Sequence, residues 1–313
     1  MSLQINLDQL PVASSLDWRM EFGLWLRSTP SQKKKKRANS SMVDYQRDMN
    51  LMAAWFEDKY GVAFEPSQLN VQNVGEYFAQ FENAPATHTR KFASARLFVR
   101  WGREAEVIDH DPLIWIANIA VVEQSPRDLN DEERKQLEAA AEAGESTLLG
   151  LRDSVIFFLM NDAGLRISEV IKLLLSDLHL DEGYIHVLGK GEKHRKVRVA
   201  SRLIGKLRLW LSRKPDSVEG TVVTDERGLA IERQTAWTRF GLLRDVAGVN
   251  CTPHSMRHTY VMRYVAGYMQ GDPARWGAAL KAVCSQTGDD MKTIIKYYTN
   301  PRDSEMRAAA EVM

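Results

Sequence analysis

The stretch Thr252-Pro253-His254-Ser255-Met256-Arg257-His258-Thr259-Tyr260 decides how the rest of this chain is interpreted. Pro253 is placed to begin a helix that carries His254 and Arg257. Two further places belong with it: Arg166, in Gly-Leu-Arg-Ile-Ser-Glu, and Tyr298, in Lys-Tyr-Tyr-Thr-Asn. Two guanidiniums and an imidazole suit an anionic substrate, and a phenol can act as a nucleophile. The sequence therefore predicts one active site assembled from three distant places.

The totals limit the class of protein. A chain of 313 residues is long enough for two domains with separate cores. It is 44% apolar and 27% charged with a formal net charge of +1, so a basic surface must come from local clustering. The two cysteines are too few for a disulfide framework. Without a signal pattern or a membrane-length apolar run, we expect a cytoplasmic location and no membrane partner.

The first domain is predicted to be a helical bundle of residues 1–107, because apolar residues recur at helical spacing in four segments. Two groups of cations stand out: Lys33, Lys34, Lys35, Lys36 and Arg37 between the first two helices, and Arg90, Lys91, Arg96, Arg100 and Arg103 on the fourth. We interpret both as candidate contacts to a polyanion. A solvated loop for the lysine run, which is the favoured alternative, and a charged outer face for the helix remain open.

Residues 108–128 lack clear periodicity and contain two prolines, which predicts a linker in which Leu113-Ile114-Trp115-Ile116 packs onto a domain surface. Residues 129–313 then form the second domain, whose first helix begins at Asn130 with a capping box. Arg166 falls at a sharp joint between two predicted helices, 148–162 and 167–175, where a side chain can be held rigidly. A plain salt bridge to Glu169 is the alternative use of this arginine.

A β-hairpin is predicted at residues 184–188 and 196–200, both of which alternate like strands. Its turn is basic and flanked by glycines, with Lys190, Lys193 and Arg195. Later helices are predicted at 202–211, 234–246, 254–269, 272–286, 288–298 and 305–313.

The spacing of His254 and His258 is also that of a helical zinc pair. The residue after His254 is serine rather than glutamate, no third ligand is evident, and Arg257 would place a cation beside the metal. We therefore reject a zinc site.

Taken in order, these motifs resemble the tyrosine recombinase (phage integrase) family. The resemblance rests on Gly-Leu-Arg166-Ile-Ser-Glu, Gly-Lys190-Gly in the hairpin turn, His254-x-x-Arg257-His, and Tyr298-Thr near the end. It covers roughly residues 129–300. It implies a mainly α fold with a small β-hairpin or sheet, in which a SAM-like core-binding bundle precedes an α+β catalytic domain.

The resemblance also implies a role for each residue. Arg166 and Arg257 would hold the non-bridging oxygens of a DNA phosphodiester, and His254 would hydrogen-bond the same phosphate. Lys190 would protonate the departing 5′-oxygen, and Tyr298 would attack phosphorus to give a 3′-phosphotyrosine. No metal, nucleotide or other cofactor is implied, because the covalent intermediate keeps the bond energy.

The implied partner is double-stranded DNA, contacted by Lys33–Arg37, Arg90, Lys91, Arg96, Lys193 and Arg195. We expect a monomer in isolation and a homotetramer on two DNA sites, with the tail 305–313 donated to a neighbouring subunit. The implied function is a recombinase of the integrase or transposase type, from a phage or mobile element. A type IB topoisomerase and a DNA-binding protein with an impaired site are the alternatives.

Two places depart from the family. Nine residues before the tyrosine the family has histidine or tryptophan, where this chain has Asp289. A carboxylate facing a phosphate is repulsive, so Asp289 is expected either to point away or to leave the role to Trp276, Gln286 or Lys292. The stretch between Arg257 and Gly288 is also longer than usual. Tyr297 is the rival nucleophile, and its alternative role is packing beside Tyr298.

Overall fold

The chain divides into two compact units, Met1–Glu123 and Gln124–Met313. The computed structural model is mainly helical with one small antiparallel sheet, as the sequence predicted. It describes residues 17–31, 37–116, 128–189 and 194–299, without the side chains of residues 40 and 297–299.

The first unit packs its helices around an aromatic core. Trp18 and Phe22 meet the ring of Phe98 edge-on, with centroids 5.3 and 5.1 Å apart. Edge-to-face contacts of this kind add to the free energy gained by burying the rings. The helices of this unit are α1 (Trp18–Ser28), α2 (Asn39–Tyr60), α3 (Val71–Ala79) and α4 (Pro85–Glu104).

The predicted linker begins too early. Ile108 and Leu113 are buried in the same core as Trp101 of α4. Ile108 lies so close to α4 that a Cβ on Gly102 would overlap its side chain. Residues 108–116 are therefore part of the first unit. Leu113 and Ile116 pack on its core as predicted, whereas Ile114 and Trp115 are exposed. The remaining linker residues up to 127 lie outside the described part.

The second unit is built around α6. This helix packs against α5, α8, α9 and α10, and Val155, Phe157 and Phe158 are all buried. A helix covered on every side needs no polar face, which explains its apolar sequence. The helices of this unit are α5 (Asp131–Ala143), α6 (Leu148–Ala163), α7 (Ile167–Val170), α8 (Ser201–Arg213), α9 (Arg233–Ala247), α10 (Pro253–Met269), α11 (Trp276–Thr287) and α12 (Met291–Thr299).

The predicted hairpin is present and gains a third strand. Strands β2 (Tyr184–Leu188) and β3 (His194–Arg198) pair antiparallel, with Ile185 opposite Val197. Both of these side chains are buried against the core of the unit. Strand β1 (Leu178–His179) joins the far edge of β2. Two residues are too short a run to show an alternating pattern, so β1 could not be predicted from the sequence.

Helix α7 is shorter than predicted. The sequence pattern extends to residue 175, but the helix ends at Val170. Beyond it, the carbonyl of Leu173 accepts from Val222 and the amide of Leu175 donates to Gly220, both at 2.8 Å. Hydrogen bonds to a distant segment have replaced those that a longer helix would make. Tertiary pairing thus overrides local helix propensity here.

Helices α10, α11 and α12 share a separate apolar cluster that includes Val261, Leu280 and Ile294. This packing brings the first turns of α10 beside the connection between α11 and α12. The predicted tail helix at 305–313 lies outside the described residues. Among those described, every helix is too short or too polar to span a bilayer.

Candidate active site

The turn after α6 sets the position of Arg166. Gly164 ends the helix in the left-handed conformation, with φ +65°, and the ring of Tyr260 covers it. The chain then straightens, and Arg166 occupies the N-cap position of α7. Its side chain remains 43% exposed, so the guanidinium is open to solvent. The predicted helix-to-helix joint is therefore present.

Arg257 reaches the same place from α10 but is buried, with 1% of its side chain exposed. Its Nη1 donates to the carbonyl of Gly164 at 2.5 Å, and its Nη2 donates to the carbonyl of Thr287 at 2.5 Å. The guanidinium thus ties the turn after α6 to the end of α11. Neutral carbonyls hold its orientation without neutralising its charge.

Asp289 lies between the two arginines. Its Oδ1 accepts from Nη2 of Arg166, and its Oδ2 accepts from Nε and Nη2 of Arg257 at 3.0 and 2.7 Å. Of the alternatives considered for Asp289, pointing away is not what the structure shows, because two guanidiniums attract the carboxylate.

The three residues considered as replacements for the family histidine or tryptophan lie elsewhere. They are Trp276, Gln286 and Lys292. The side chain of Gln286 accepts from the amide of Arg198 in β3. Trp276 lines a separate groove along α10, and Lys292 is exposed in the first turn of α12.

The carboxylate of Glu169 forms ion pairs with Arg166, Arg195 and Arg257. It accepts two hydrogen bonds from Arg195, at 3.0 and 2.8 Å, and two from Arg166, at 3.0 Å from Nη1 and at 2.9 Å from the backbone amide. Burial favours a raised pKa for Glu169, but hydrogen bonds and charge from Arg195, the Arg166 amide and Arg257 outweigh it and hold the pKa below its ordinary value. The salt bridge between Arg166 and Glu169, considered as an alternative, is present within a larger network.

Arg195 belongs to this network instead of forming the predicted DNA contact. Its side chain is 11% exposed, and its Nε donates to the carbonyl of Gln286 at 2.8 Å. This role could not be predicted, because residue type does not distinguish Arg195 from the neighbouring cations of the same turn. Lys190 and Lys193 of the same turn lie outside the described residues.

His254 stands at the mouth of the cluster and is exposed, whereas His258, one turn later, is buried. The pKa of His254 is lowered from its ordinary value, first by partial desolvation of the ring and then by the charges of Arg257 and Arg166. The charge of Asp289 acts in the opposite direction. The imidazole is therefore neutral at pH 7 and can both donate and accept a hydrogen bond.

The backbone of Tyr298 lies in the last turn of α12. The side chains of Tyr297 and Tyr298 are outside the description, so the choice of nucleophile stays a prediction.

In the first unit, two of the predicted DNA contacts are occupied within the protein. Nη1 of Arg37 donates to the carbonyls of Leu26 and Thr29 at the end of α1. Lys91 is buried and donates to the hydroxyl of Tyr77 at 2.8 Å. Both cations therefore stabilise the bundle, and Lys91 has no surface to offer a polyanion. Residues 33–36 lie outside the described part.

The other two predicted contacts are exposed. Arg90 forms an ion pair with Asp48, whose side chain is buried. Arg96 stands on the open face of α4 above Phe92. It lines a groove with Arg37, from the predicted basic run, and with Arg100 and Arg103, which the sequence placed on the same helix.

Comparison with known proteins gives the family context. A model described as "Phage integrase family" matches residues 127–271. Tyrosine recombinase XerD of Lacticaseibacillus casei is 28% identical over 270 residues, covering 84% of this chain and 88% of the relative. The matched region of the family model ends before Asp289 and Tyr298, so the roles of those two residues depend on the motif alone.

Solved structures match over most of the chain. XerH site-specific recombinase bound to palindromic difH substrate has a TM-score of 0.65 at 17% identity, covering 94% of this chain and 95% of that one. A lambda integrase tetramer bound to a Holliday junction has a TM-score of 0.64 at 13% identity, covering 91% and 78%. At these identities the likeness establishes the fold.

Proposed function

The chain belongs to the tyrosine recombinase family, and on this premise we propose that it is a site-specific DNA recombinase of the integrase or transposase type. It cuts and rejoins duplex DNA through a 3′-phosphotyrosine, without metal or nucleotide. The names of its relatives support the coarser class, site-specific recombinase. Origin from a phage or mobile element is not supported by these names.

One observation supports the proposal: Arg166 and Arg257 lie together around one carboxylate, and His254 is near enough for their charges to lower its pKa. Fixed cations of this kind stabilise the negative charge that builds on the equatorial oxygens of a phosphodiester under attack. A planar guanidinium also fits two such oxygens better than an ammonium does.

In the proposed reaction the phenolic oxygen of Tyr298 attacks phosphorus, and the bond to the 5′-oxygen breaks. Lys190 gives its proton to the leaving oxygen, while His254 hydrogen-bonds the phosphate and accepts the phenolic proton of Tyr298. Both proton transfers reverse when the strand is rejoined. A 5′-hydroxyl from a second duplex then attacks the phosphotyrosine. That step restores the phenol and makes the new junction, so atoms and charge balance over the cycle.

The proposed partners are double-stranded DNA and three further copies of this chain. Solved relatives described as complexes with DNA, one of them a tetramer on a junction, support this assembly. We propose a monomer without DNA and a homotetramer on two sites. Analytical ultracentrifugation with and without DNA measures both states.

The decisive experiment is covalent capture. A library of nicked duplexes with randomised sequence is incubated with the full chain in EDTA, and complexes that survive denaturing electrophoresis are sequenced. We expect a covalent complex from the unchanged protein and from Tyr297→Phe, and none from Tyr298→Phe. Adducts from Tyr298→Phe but not from Tyr297→Phe would show that the nucleophile is Tyr297.

A second candidate function, sequence-specific DNA binding without cleavage, is favoured by Asp289, because a carboxylate occupies the anion site. Native gel shifts in the absence of any covalent band would support it. The same selected library is used on the denaturing gel and on the native gel. The comparison of the two gels therefore distinguishes cleavage from binding alone.

A further inference from the structure

The carboxylate of Asp289 has the arrangement that the proposed mechanism assigns to a phosphate. One of its oxygens accepts from Arg166, and the other accepts from two nitrogens of Arg257. A phosphodiester held by the same arginines would place its two non-bridging oxygens on the same donors. The side chain is 7% exposed, so the contact is an interior one rather than a chance surface pair.

The two arginines differ in access. Arg166 is open to solvent, whereas Arg257 is 1% exposed and directs its hydrogen bonds to Gly164, Thr287 and Asp289. Of these three acceptors, only Asp289 belongs to a side chain that can turn away. An external anion can therefore meet Arg166 first, and it reaches the Nε and Nη2 edge of Arg257 when Asp289 withdraws.

Charge makes the two anions competitors. Three guanidiniums, those of Arg166, Arg195 and Arg257, surround the carboxylates of Glu169 and Asp289, leaving one net positive charge. Without the carboxylate of Asp289 the cluster would carry two. A phosphodiester brings one negative charge of its own, and like charges within about 4 Å repel strongly away from bulk water.

Asp289 also lies next to the helix that carries Tyr298. Gly288 before it has φ +71°, and a Cβ there would meet Cδ of Arg195 at 3.2 Å. Asp290 after it begins α12, accepting from the amide of Thr293 through its side chain at 2.7 Å and from Ile294 through its carbonyl at 3.1 Å. The ion pairs of Asp289 therefore tie the residue before the first turn of α12 to Arg166 and Arg257.

We propose that Asp289 is an internal competitor for the phosphate, which closes the arginine pair until a phosphate displaces it and releases the start of α12. The identity of that phosphate as part of DNA rests on the proposed function, but the competition itself does not. In the closed state α12 is tied through Asp289 to Arg166 and Arg257. Phosphate binding breaks the tie, so occupancy of the anion site and the placement of Tyr298 are coupled.

The first test measures binding of inorganic phosphate to the full chain by calorimetry and by thermal unfolding. Sodium chloride at equal ionic strength is the blank. Asp289→Asn keeps the shape and removes the charge. We expect it to bind phosphate at least about tenfold more tightly than the unchanged chain. Asp290→Asn is the matched control, because asparagine also caps a helix, and its affinity should equal that of the unchanged chain. Equal or weaker binding by Asp289→Asn overturns the proposal.

The second test needs no variant and covers the case in which Asp289→Asn does not fold. Hydrogen exchange of the amides of residues 289–294 is measured in the unchanged chain with and without phosphate. Release of Asp289 predicts faster exchange at the start of α12 with phosphate bound, and unchanged or slower exchange overturns the proposal. Neither test requires DNA cleavage. If both tests succeed but no DNA adduct ever forms, the proposed function is refuted while the competition between Asp289 and phosphate stands.

Discussion

The ring of Tyr260 occupies the space into which a Cβ on Gly164 would project. Gly164 also has φ +65°, a conformation that side chains other than glycine rarely adopt. The same residue offers its carbonyl to Arg257. One glycine therefore ends α6, makes room for an aromatic ring of α10 and helps to orient an active-site guanidinium.

Substituting Gly164 by alanine should be costly for both reasons. Left-handed strain and overpacking together predict a loss of about 2–5 kcal/mol in the free energy of unfolding, measured by urea denaturation. Gly248→Ala isolates the strain, because Gly248 has φ +67° and nothing within 4 Å of its Cβ position. It should lose only about 1 kcal/mol. Equal losses in the two variants would mean that Tyr260 moves aside freely.

Glu169→Gln should destabilise the second unit by about 3–5 kcal/mol at pH 7, because it leaves buried arginines without their counter-charge. Since the folded pKa of Glu169 is lowered, its contribution is complete above the unfolded pKa of about 4.3 and is lost as pH falls through the folded pKa. The difference between variant and unchanged chain should therefore shrink in acid.

The control for Glu169 is Asp181→Asn. Asp181 pairs with Arg208 at the surface, with 91% of its side chain exposed. Such a pair contributes at most about 1 kcal/mol. Unfolding curves for Glu169→Gln that match those of this control would contradict the role given to the network.

His254 should titrate below the ordinary histidine pKa of about 6.5 when followed by proton NMR. Arg166→Gln removes a charge that lowers this pKa and should raise it, whereas Asp289→Asn removes one that raises it and should lower it further. Because the unfolded chain binds the proton first, stability should fall as pH drops through the unfolded pKa. Shifts of the same sign in both variants would refute the assigned electrostatics.

Arg166→Ala should slow formation of the covalent DNA adduct by at least about 10²-fold, the usual loss for a fixed transition-state donor. Arg166→Lys should not restore the rate, because an ammonium cannot reproduce the fork that holds two oxygens. Arg208→Ala, an exposed cation of the same unit, is the control. Adduct formation should persist in EDTA, and a strict need for a divalent ion would disprove the metal-free mechanism.

Arg96→Ala should weaken binding to all DNA sequences alike and reduce the slope of log affinity against log salt by about 1, if Arg96 contacts a phosphate. Arg47→Ala removes an equally exposed cation that lies outside the groove, where its partner is Asp44. Equal slopes for the two variants would mean that the cations of α4 form an ordinary charged outer face and do not contact DNA.

The sequence alone determined the local features. Helical spacing gave the two sets of helices, strand alternation gave the hairpin of β2 and β3, and Pro253 marked the start of α10. These predictions succeed because side-chain periodicity and capping act over a few residues, which the sequence displays directly. The order of the motifs around Arg166, Lys190, His254, Arg257 and Tyr298 also carried the resemblance to the recombinase family, because motifs are short runs that can be recognised in the sequence itself.

Only the tertiary structure decided how the charges are used. The sequence grouped Arg195 and Lys91 with the DNA contacts, but one binds Glu169 and the other lies buried against Tyr77. It left open that Asp289 turns away, yet the carboxylate lies between Arg166 and Arg257. The partner of a charge is whichever opposite charge the fold brings near, and ion pairs between residues far apart in the chain leave no periodic trace in its sequence. Helix α7 ends early for the same reason, since its competing hydrogen bonds come from residues 220–222.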